Sequence, residues 1–293
     1  MRPMDPIGSA LTPLEGDSGQ VFLAEAAGER SVVRVYARPS ARGAVAHEVD
    51  SALLRLVRGL VPVPEVLEVR RAVGDMPALL VTSYVDGERA DRLLPRLSEA
   101  DRSRLGHHLG EVLARLAAMP FLRAGVFTDG DLRIDAFVAD DTDLTRWIAG
   151  RDLGLEPGEQ AGLDEVAEAA QADLDELRRV CLVHGDLVPE NVLVDPASLE
   201  VVALVDWELA HAGNPYTDLG SLLRAVGDDV LAAAALSSYA EGLGEDPARA
   251  RSMACAADLF PLVELAGRRE LDPRGAVAHE RLRRIGRARD REA

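Results

Sequence analysis

The chain has no lysine at all. Its 33 basic side chains are all arginines, they stand against 50 acidic ones, and the formal net charge is −17. A nucleic-acid backbone needs a basic surface, so this deficit of positive charge predicts no nucleic-acid partner. An acidic cleft attracts cationic ligands, but composition alone is explained more simply by solubility.

The sequence also lacks a disulfide framework and a membrane segment. Only two cysteines occur, Cys181 and Cys255, and their apolar surroundings predict buried free thiols in a reducing cytoplasm. No run of about 18 uncharged apolar residues is present, so we expect no membrane span. The first residues contain no apolar core of signal-peptide length, which favours a cytoplasmic location.

Patterning along the chain predicts two lobes. With 293 residues, 47% of them hydrophobic, the chain can bury a sizeable core. Strand-forming runs dominate the first part and helical patterns dominate the rest. We therefore predict an α+β fold with a small, β-rich, nucleotide-binding lobe over residues 1–85 and a larger, mainly helical lobe over residues 86–293. The break at Asp86 and Gly87 places the hinge at residues 83–88.

Several elements follow from periodicity and from residues that break it. Gly28 marks a hairpin between two β-rich runs. Ser98 is predicted to cap a long amphipathic helix, whose apolar face is formed by Leu105, Leu109, Val112, Leu113 and Leu116. An acidic helix that begins near residue 156 is expected to end in Arg178 and Arg179, as the helix dipole prefers. A helix that stops near Gly59 carries one apolar face, formed by Val45, Val49, Ala52, Leu53 and Leu56.

The stretch LVHGDLVPENVLVD, residues 182–195, places polar groups at fixed spacing between apolar runs. Pro189 keeps the segment between Asp186 and Asn191 out of a regular helix. The apolar run after Asn191 and the run VVALVD are joined by the short segment PASLE, which predicts a hairpin that brings Asn191 beside Asp206. An amide oxygen and a carboxylate that converge near Asp186 suit magnesium, and magnesium implies a nucleotide triphosphate.

This pattern resembles that of kinases: a catalytic aspartate, an asparagine four intervening residues later, and a metal-binding aspartate after a hairpin. HGD stands where protein kinases carry HRD, and VDWELAHAGNPYTDLGSLL stands where they carry DFG. Both features resemble the aminoglycoside phosphotransferase family. The resemblance implies a protein-kinase-like fold and a transferase that uses magnesium and ATP, or GTP, to phosphorylate an alcohol group of a small molecule.

The resemblance also implies a role for each matching residue. Asp186 would accept the proton of the substrate hydroxyl, and Asn191 and Asp206 would hold Mg²⁺ against the nucleotide phosphates. His184 is expected to support the catalytic loop by hydrogen bonding. Asp218 is expected to support the same region, with the N-cap of the following helix as its main structural task.

A nucleotide site is implied in the first lobe. Gly16 and Ser18 occupy the place of the family's phosphate-covering loop. Arg34 stands where protein kinases have a phosphate-gripping lysine, and arginine can also grip phosphate in a bidentate geometry. Glu48 matches the helix glutamate that pairs with this basic residue.

The hinge completes the implied nucleotide site. Ser83 and Val85 would offer backbone groups to the base, and Thr82 would line the pocket. Two acids near the catalytic segment, Glu190 and Glu208, could face the substrate, but exposed loop acids are common and neither is assigned a role.

Other functions are weighed against this one. A metallophosphoesterase would need further metal-ligand motifs, which are absent from the sequence, and a protein kinase would need activation-segment elements, which are also absent. A nucleotide-binding pseudokinase with a regulatory role would be expected to have lost part of the Asp186, Asn191 and Asp206 set, which is intact here.

The acceptor stays open at this level. Relatives of the family phosphorylate aminoglycosides and other antibiotics, or metabolites such as choline, homoserine and sugars. The acidic segments 129–143 and 164–176 could receive a cationic acceptor, but solvated helix faces explain most of them. The sequence gives no indication of the oligomeric state.

Overall fold

The computed structural model describes residues 10–14, 20–26, 28–37, 42–138 and 142–293. Gly16 and Ser18 lie outside these ranges. Within them the chain is mixed α+β, with an antiparallel sheet in the N-terminal part and mostly helices afterwards, as predicted. The division into lobes at residue 85 stays a prediction.

The N-terminal sheet has five antiparallel strands in the order β1-β2-β3-β5-β4. The strands are β1 (Ala10–Pro13), β2 (Val21–Ala26), β3 (Glu29–Tyr36), β4 (Val66–Arg70) and β5 (Ala78–Ser83). Gly28 makes the predicted turn between β2 and β3 with φ of 85°, a conformation that glycine adopts without steric cost. Register pairs Arg34 of β3 with Leu80 of β5, at the centre of the sheet.

Helix α1 (Ala46–Val57) packs against β4 and β5 through Val49, Leu53 and Val57. The predicted apolar face is wrong at one end, because Leu56 is 40% exposed. Each residue of a helix is rotated by about 100° from the one before it, so burying Val57 turns Leu56 toward solvent. Val45 lies ahead of the helix in a short 3₁₀ turn.

The remaining helices of the described residues follow the hinge. They are α2 (Ala90–Leu93), α3 (Glu99–Ala117), α4 (Leu144–Ala149), α5 (Pro157–Asp175), α6 (Thr217–Val226), α7 (Asp229–Leu243), α8 (Pro247–Ala266) and α9 (Pro273–Ala288). Ser98 caps α3 as predicted, since its side chain accepts from the Asp101 N–H at 3.2 Å. The expected end of α5 is wrong: Arg178 and Arg179 lie beyond it, because the chain turns at Leu177 and enters a strand.

Two small sheets support the helices. One has the order β7-β10-β13-β8-β9 and the other the order β12-β11-β6. The strands are β6 (Glu88–Arg89), β7 (Pro120–Phe121), β8 (Gly125–Phe127), β9 (Ile134–Ala136), β10 (Val180–Val183), β11 (Val192–Val194), β12 (Val201–Leu204) and β13 (His211–Gly213). Strands β11 and β12 form the predicted hairpin, with Val192 opposite Leu204.

Close helix packing builds the core of the larger part. Helices α3 and α7 approach each other at two glycines of α3, and a Cβ at Gly110 would lie 2.2 Å from the Ala235 carbonyl oxygen. Cys181 and Cys255 are buried free thiols, as predicted. Among the described residues, every helix is too short or too polar to cross a membrane.

Candidate active site

The loop after β10 is held in place by His184. Its ring is fully buried, with its centroid 4.6 Å from the centroid of Trp207. Nε2 lies 3.0 Å from the Val205 carbonyl oxygen, which can only accept, so Nε2 carries the proton. Burial lowers the pKa of His184 to about 4, and the neutral Nδ1 faces the Asp186 N–H at 3.4 Å. His184 therefore ties the loop to the end of β12.

Asp218, which lies in α6, holds the same loop through hydrogen bonds to its backbone. Its two carboxylate oxygens accept hydrogen bonds from the backbone N–H groups of His184, at 2.7 Å, and Gly185, at 2.9 Å. Burial raises the pKa of Asp218 to about 6, and these two hydrogen bonds oppose the rise. The N-cap interpretation is wrong, because Asp218 lies inside α6 and Tyr216 occupies the cap.

Gly185 is required between His184 and Asp186. Its φ is 84°, and a Cβ there would lie 2.4 Å from the Leu209 carbonyl oxygen. A side chain would therefore be strained by the backbone and would also meet the neighbouring loop. The glycine of HGD lets the loop turn tightly and present Asp186 outward.

Asp186 and Asn191 are joined by two hydrogen bonds. Asn191 Nδ2 donates to Asp186 Oδ2 at 2.9 Å and to the Asp186 carbonyl oxygen at 2.8 Å. The amide nitrogen is thereby committed, which leaves Asn191 Oδ1 as the atom suited to a cation. Burial raises the pKa of the half-buried Asp186 above its ordinary value, while the hydrogen bond from Asn191 opposes the rise.

Asp206 follows β12 in a left-handed conformation with φ of 66°. This conformation is unfavourable for residues other than glycine and is maintained here by its surroundings. Trp207 next to it is buried, and its Nε1 donates to the Leu204 carbonyl oxygen at 3.1 Å. Because Trp207 points inward, Asp206 and Glu208 both line the cleft on either side of it.

Arg34 extends from β3 toward these two acids. Its Nη1 donates to Asp206 Oδ1 at 2.8 Å, and its Nη2 hydrogen-bonds Glu208 Oε2. Burial is the largest single influence on the pKa of Arg34 and acts to lower it. The combined attraction of Asp206, Tyr36 and Asp50 outweighs burial, so the pKa is raised. Arg34 is therefore a permanent cation inside the cleft.

The expected pairing of Arg34 with Glu48 does not occur. Glu48 Oε1 instead lies 2.8 Å from Arg71 Nε, and its side chain does not line the cleft. Two positions along α1 correspond to a rotation of about 200°, so the acid of this helix that reaches the cleft is Asp50 rather than Glu48. Asp50 is buried and accepts from the Tyr36 hydroxyl at 2.7 Å and from Arg42.

These residues surround one cleft of about 870 Å³. Asp186, Asn191 and Asp206 lie on its helical side, and Arg34 lies on the side of the N-terminal sheet. The predicted base-binding residues at the end of β5 and beyond it also line this cleft: Thr82, Ser83 and Val85. Of the site residues that the structure describes, Glu48, His184 and Asp218 do not line the cleft.

The donor set fits a magnesium ion. Mg²⁺ in nucleotide enzymes usually takes one or two carboxylates and completes its shell with water and phosphate oxygens. Asp206 and Asn191 provide a carboxylate and an amide oxygen, and the Val205 N–H donates to the Asn191 carbonyl at 3.0 Å, which ties the two segments together. In the described ranges, no group of three or more His, Cys, Asp and Glu side chains is arranged to hold a metal by itself.

The acidic segments lie elsewhere. None of their described acids lines the cleft. Asp129 accepts from the backbone N–H groups of Asp131 and Arg133, and Glu165 of α5 pairs with Arg289. Asp129 and Glu165 are therefore engaged with neighbours outside the cleft.

Four acids that line the cleft were given no role from the sequence: Asp50, Glu88, Glu190 and Glu208. Glu208 lies two residues after Asp206 and beyond an apolar Trp207, a spacing that could have indicated the same direction. Asp50 had a weaker signal, since only its distance from Glu48 along α1 separates the two acids.

The chain is similar to proteins of one enzyme family. The sequence model of the phosphotransferase enzyme family (APH) matches residues 10–253. Aminoglycoside 3'-phosphotransferase of Streptomyces fradiae is 28% identical over 219 residues, which are 72% of this chain and 77% of that enzyme.

Two solved structures have the same fold. A GDP complex of a mutant aminoglycoside 2'-phosphotransferase-IIIa matches with a TM-score of 0.73 at 18% identity, covering 98% of this chain and 93% of the other. A thermostable mutant of aminoglycoside phosphotransferase APH(4)-Ia, in a ternary complex with ADP and hygromycin B, matches with a TM-score of 0.64 at 18% identity, covering 95% and 94%. The predicted kinase-like α+β fold is thereby confirmed.

Proposed function

Because the chain belongs to the phosphotransferase enzyme family, we propose that it transfers the γ-phosphate of ATP or GTP to a hydroxyl group of a small molecule, with Mg²⁺ as cofactor. The observation that carries this proposal is the convergence of Arg34, Asp186, Asn191 and Asp206 on one cleft. Its volume, about 870 Å³, lies in the range of sites that enclose a cofactor-sized ligand.

The nucleotide is proposed to lie between the N-terminal sheet and the hairpin β11–β12. Thr82, Ser83 and Val85 would contact the base, and Arg34 would bind the phosphates. Asn191 and Asp206 would hold the magnesium ion. The ion, when bound, neutralises charge on the transferring phosphoryl group and fixes its orientation.

Asp186 is proposed as the catalytic base. It would accept the proton of the acceptor hydroxyl while the new bond forms between that oxygen and the γ-phosphorus, and while the bond from the γ-phosphorus to the bridging oxygen breaks, releasing the nucleoside diphosphate. The hydrogen bond from Asn191 Nδ2 to Asp186 Oδ2 would orient the carboxylate for this task. Burial raises the pKa of Asp186, which makes it a better proton acceptor than an exposed aspartate.

For the acceptor, we propose an aminoglycoside or a related hydroxylated antibiotic as the first candidate. The support is the family and the name of the Streptomyces relative. Because no acid of α5 lines the cleft, recognition of amino groups would depend on the acids that do line it, such as Glu88 and Glu190. Small hydroxylated metabolites, among them choline, homoserine and sugars, are the alternative acceptors.

The test is a transfer assay on the purified protein. ATP or GTP, with and without Mg²⁺, is incubated with aminoglycosides, macrolides, amino alcohols and sugars, and nucleoside diphosphate and phosphorylated product are measured. We expect magnesium-dependent transfer to at least one class, and we expect Asp206→Ala to lose the magnesium dependence of nucleotide binding. Nucleotide binding without transfer to any acceptor would favour a regulatory pseudokinase, and the absence of nucleotide binding would reject the proposal.

A further inference from the structure

Arg34 is held by two acids from outside its own sheet. Its Nη1 binds Asp206, and its Nη2 binds Glu208, so both terminal nitrogens are engaged across the cleft. If Asp206 serves a magnesium ion when nucleotide binds, Arg34 loses one of these partners. Another acid is then needed to keep the Arg34 guanidinium directed at the phosphates.

Helix α1 does not supply that acid. Glu48 pairs with Arg71 outside the cleft. Asp50 is buried next to the cleft, but one of its oxygens accepts from the Tyr36 hydroxyl and the other accepts from Arg42. Arg42 in turn donates to the Ala210 carbonyl oxygen. Both carboxylate oxygens of Asp50 are thus engaged by Tyr36 and Arg42 rather than by Arg34. Asp50 therefore influences Arg34 only at a distance.

Glu208 has the position that the task needs. Buried Trp207 anchors the segment, and Glu208 follows it into the cleft. Its carboxylate binds Nη2 of Arg34, the nitrogen that Asp206 does not use. The Arg34 side chain is only 19% exposed, so a charged partner there is worth more than one on an open surface.

We infer that Glu208 is the positioning residue for Arg34: it holds the guanidinium through Nη2 while Nη1 and the remaining donors are released to the nucleotide phosphates. The inference rests on the proposed function and assigns to the segment after Asp206 a task that the sequence resemblance gave to α1. Glu208 and Arg34 lie on opposite sides of the cleft. Their pairing would therefore make phosphate binding by Arg34 depend on how closely the N-terminal sheet approaches the segment after β12.

The test compares two glutamates. Glu208→Ala removes the inferred partner, Glu208→Gln keeps an acceptor of the same shape without the charge, and Glu48→Ala removes the acid that sequence comparison favours. Glu111→Ala is the matched control, because Glu111 is exposed on α3 and pairs with Arg115 of the same helix, at 3.5 Å. Affinity for ATP and GTP with Mg²⁺ is measured by calorimetry without any acceptor, and KM and kcat are measured separately.

We expect Glu208→Ala to weaken nucleotide binding about tenfold, and Glu208→Gln to weaken it less. The KM for nucleotide should rise accordingly, whereas the KM for the acceptor should stay the same. Glu48→Ala and Glu111→Ala should bind nucleotide like the unaltered protein. If Glu208→Ala does not fold, as judged by circular dichroism, the same comparison is made with Glu208→Gln.

A double variant tests the connection to Arg34. If Glu208 acts through Arg34, then Arg34→Met combined with Glu208→Ala should bind nucleotide no more weakly than Arg34→Met alone. Two independent losses that multiply would show that Glu208 acts by another route and would overturn the inference.

Other outcomes overturn it as well. Unchanged or tighter nucleotide binding in Glu208→Ala would mean that the pairing of Glu208 with Arg34 does not assist nucleotide binding. A larger loss in Glu48→Ala than in Glu208→Ala would return the task to α1. Failure of the unaltered protein to bind nucleotide would reject the proposed function and this inference with it. Equal nucleotide binding by the unaltered protein and Glu208→Ala would reject the inference alone.

Discussion

Arg34 Nη1 and Asp206 Oδ1 lie 2.8 Å apart, although 172 positions separate the two residues in the sequence. The contact joins the central part of the N-terminal sheet to the end of the hairpin β11–β12. It also neutralises the proposed metal-binding acid in a chain whose net charge is −17. Magnesium and nucleotide phosphates would replace this contact with two new ones, so binding of the two is expected to be coupled.

Asp186→Ala should lower kcat about 100- to 10,000-fold, because the acceptor hydroxyl loses its proton acceptor. Nucleotide affinity should stay nearly the same, since Asp186 is not proposed to touch the phosphates. Steady-state kinetics and calorimetry measure the two effects. Asp164→Ala, which changes an exposed acid of α5 that accepts from Gln160, serves as the control. Equal turnover in Asp186→Ala and the unaltered protein would refute the assigned role.

Activity should fall at low pH with an apparent pKa above 3.8, the ordinary value for aspartate. Burial raises the pKa of Asp186, and the base works only when deprotonated, so activity is lost as the pH falls through this raised value. Arg274 acts to lower the pKa of Asp186, so Arg274→Met should move the acid limb of kcat/KM to still higher pH. Arg287→Met, on the same helix but paired with Glu159, should leave the limb in place. An acid limb at or below 3.8 would contradict this assignment.

Asp218→Asn should reduce both stability and turnover. The N–H groups of His184 and Gly185 bind different oxygens of Asp218. Asparagine replaces one of these oxygens by an NH₂ donor, so one of the two N–H groups loses its acceptor. The expected cost is about 1–3 kcal/mol of unfolding free energy, together with a displaced catalytic loop. Urea unfolding and kcat are the measurements.

A matched substitution separates these two effects. Asp228→Asn alters the cap of α7, where the carboxylate accepts from the Leu231 N–H at 2.9 Å. It should cost at most about 1 kcal/mol and leave kcat unchanged, because this cap lies away from the loop. If Asp218→Asn behaved in the same way, Asp218 would not be acting through the catalytic loop.

Gly110→Ala should destabilise the protein without affecting nucleotide affinity. The new Cβ would lie 2.2 Å from the Ala235 carbonyl oxygen, so α3 and α7 would have to separate, at a cost of about 1–3 kcal/mol. Gly158→Ala in α5 is the control, since no atom lies within 4 Å of its new Cβ, and helix propensity predicts a neutral or stabilising effect. Equal urea midpoints for the two variants would contradict the close packing.

The sequence was informative where structure is local. The catalytic loop and the hairpin after it lie within a few tens of residues, and proline, glycine and apolar runs determine their course. The helix face of α3 was equally readable, because all of its predicted core residues are buried: Leu105, Leu109, Val112, Leu113 and Leu116.

Predictions from the sequence were wrong or missing where the outcome depends on how a helix is rotated about its axis or on contacts between residues far apart in the chain. The choice between Glu48 and Asp50 depends on how α1 turns when it packs on β4 and β5. The partner of Glu208 is 174 positions away, and no local pattern announces it. The end of α5 depends on pairing of β10 with β13, which draws the chain out of the helix before Arg178.

Strand β6 has a mechanical consequence for the whole molecule. Glu88 and Arg89 pair with Val194 and Leu193 of β11, and Gly87 lies so near the hairpin that a Cβ would be 2.7 Å from Val202 Cγ2. The chain leaves the N-terminal sheet at Ser83, the end of β5, and pairs with the hairpin β11–β12 again at Glu88. A rotation of that sheet relative to the hairpin would bend the chain at residues 84–86 and would change the distance between Arg34 and Asp206.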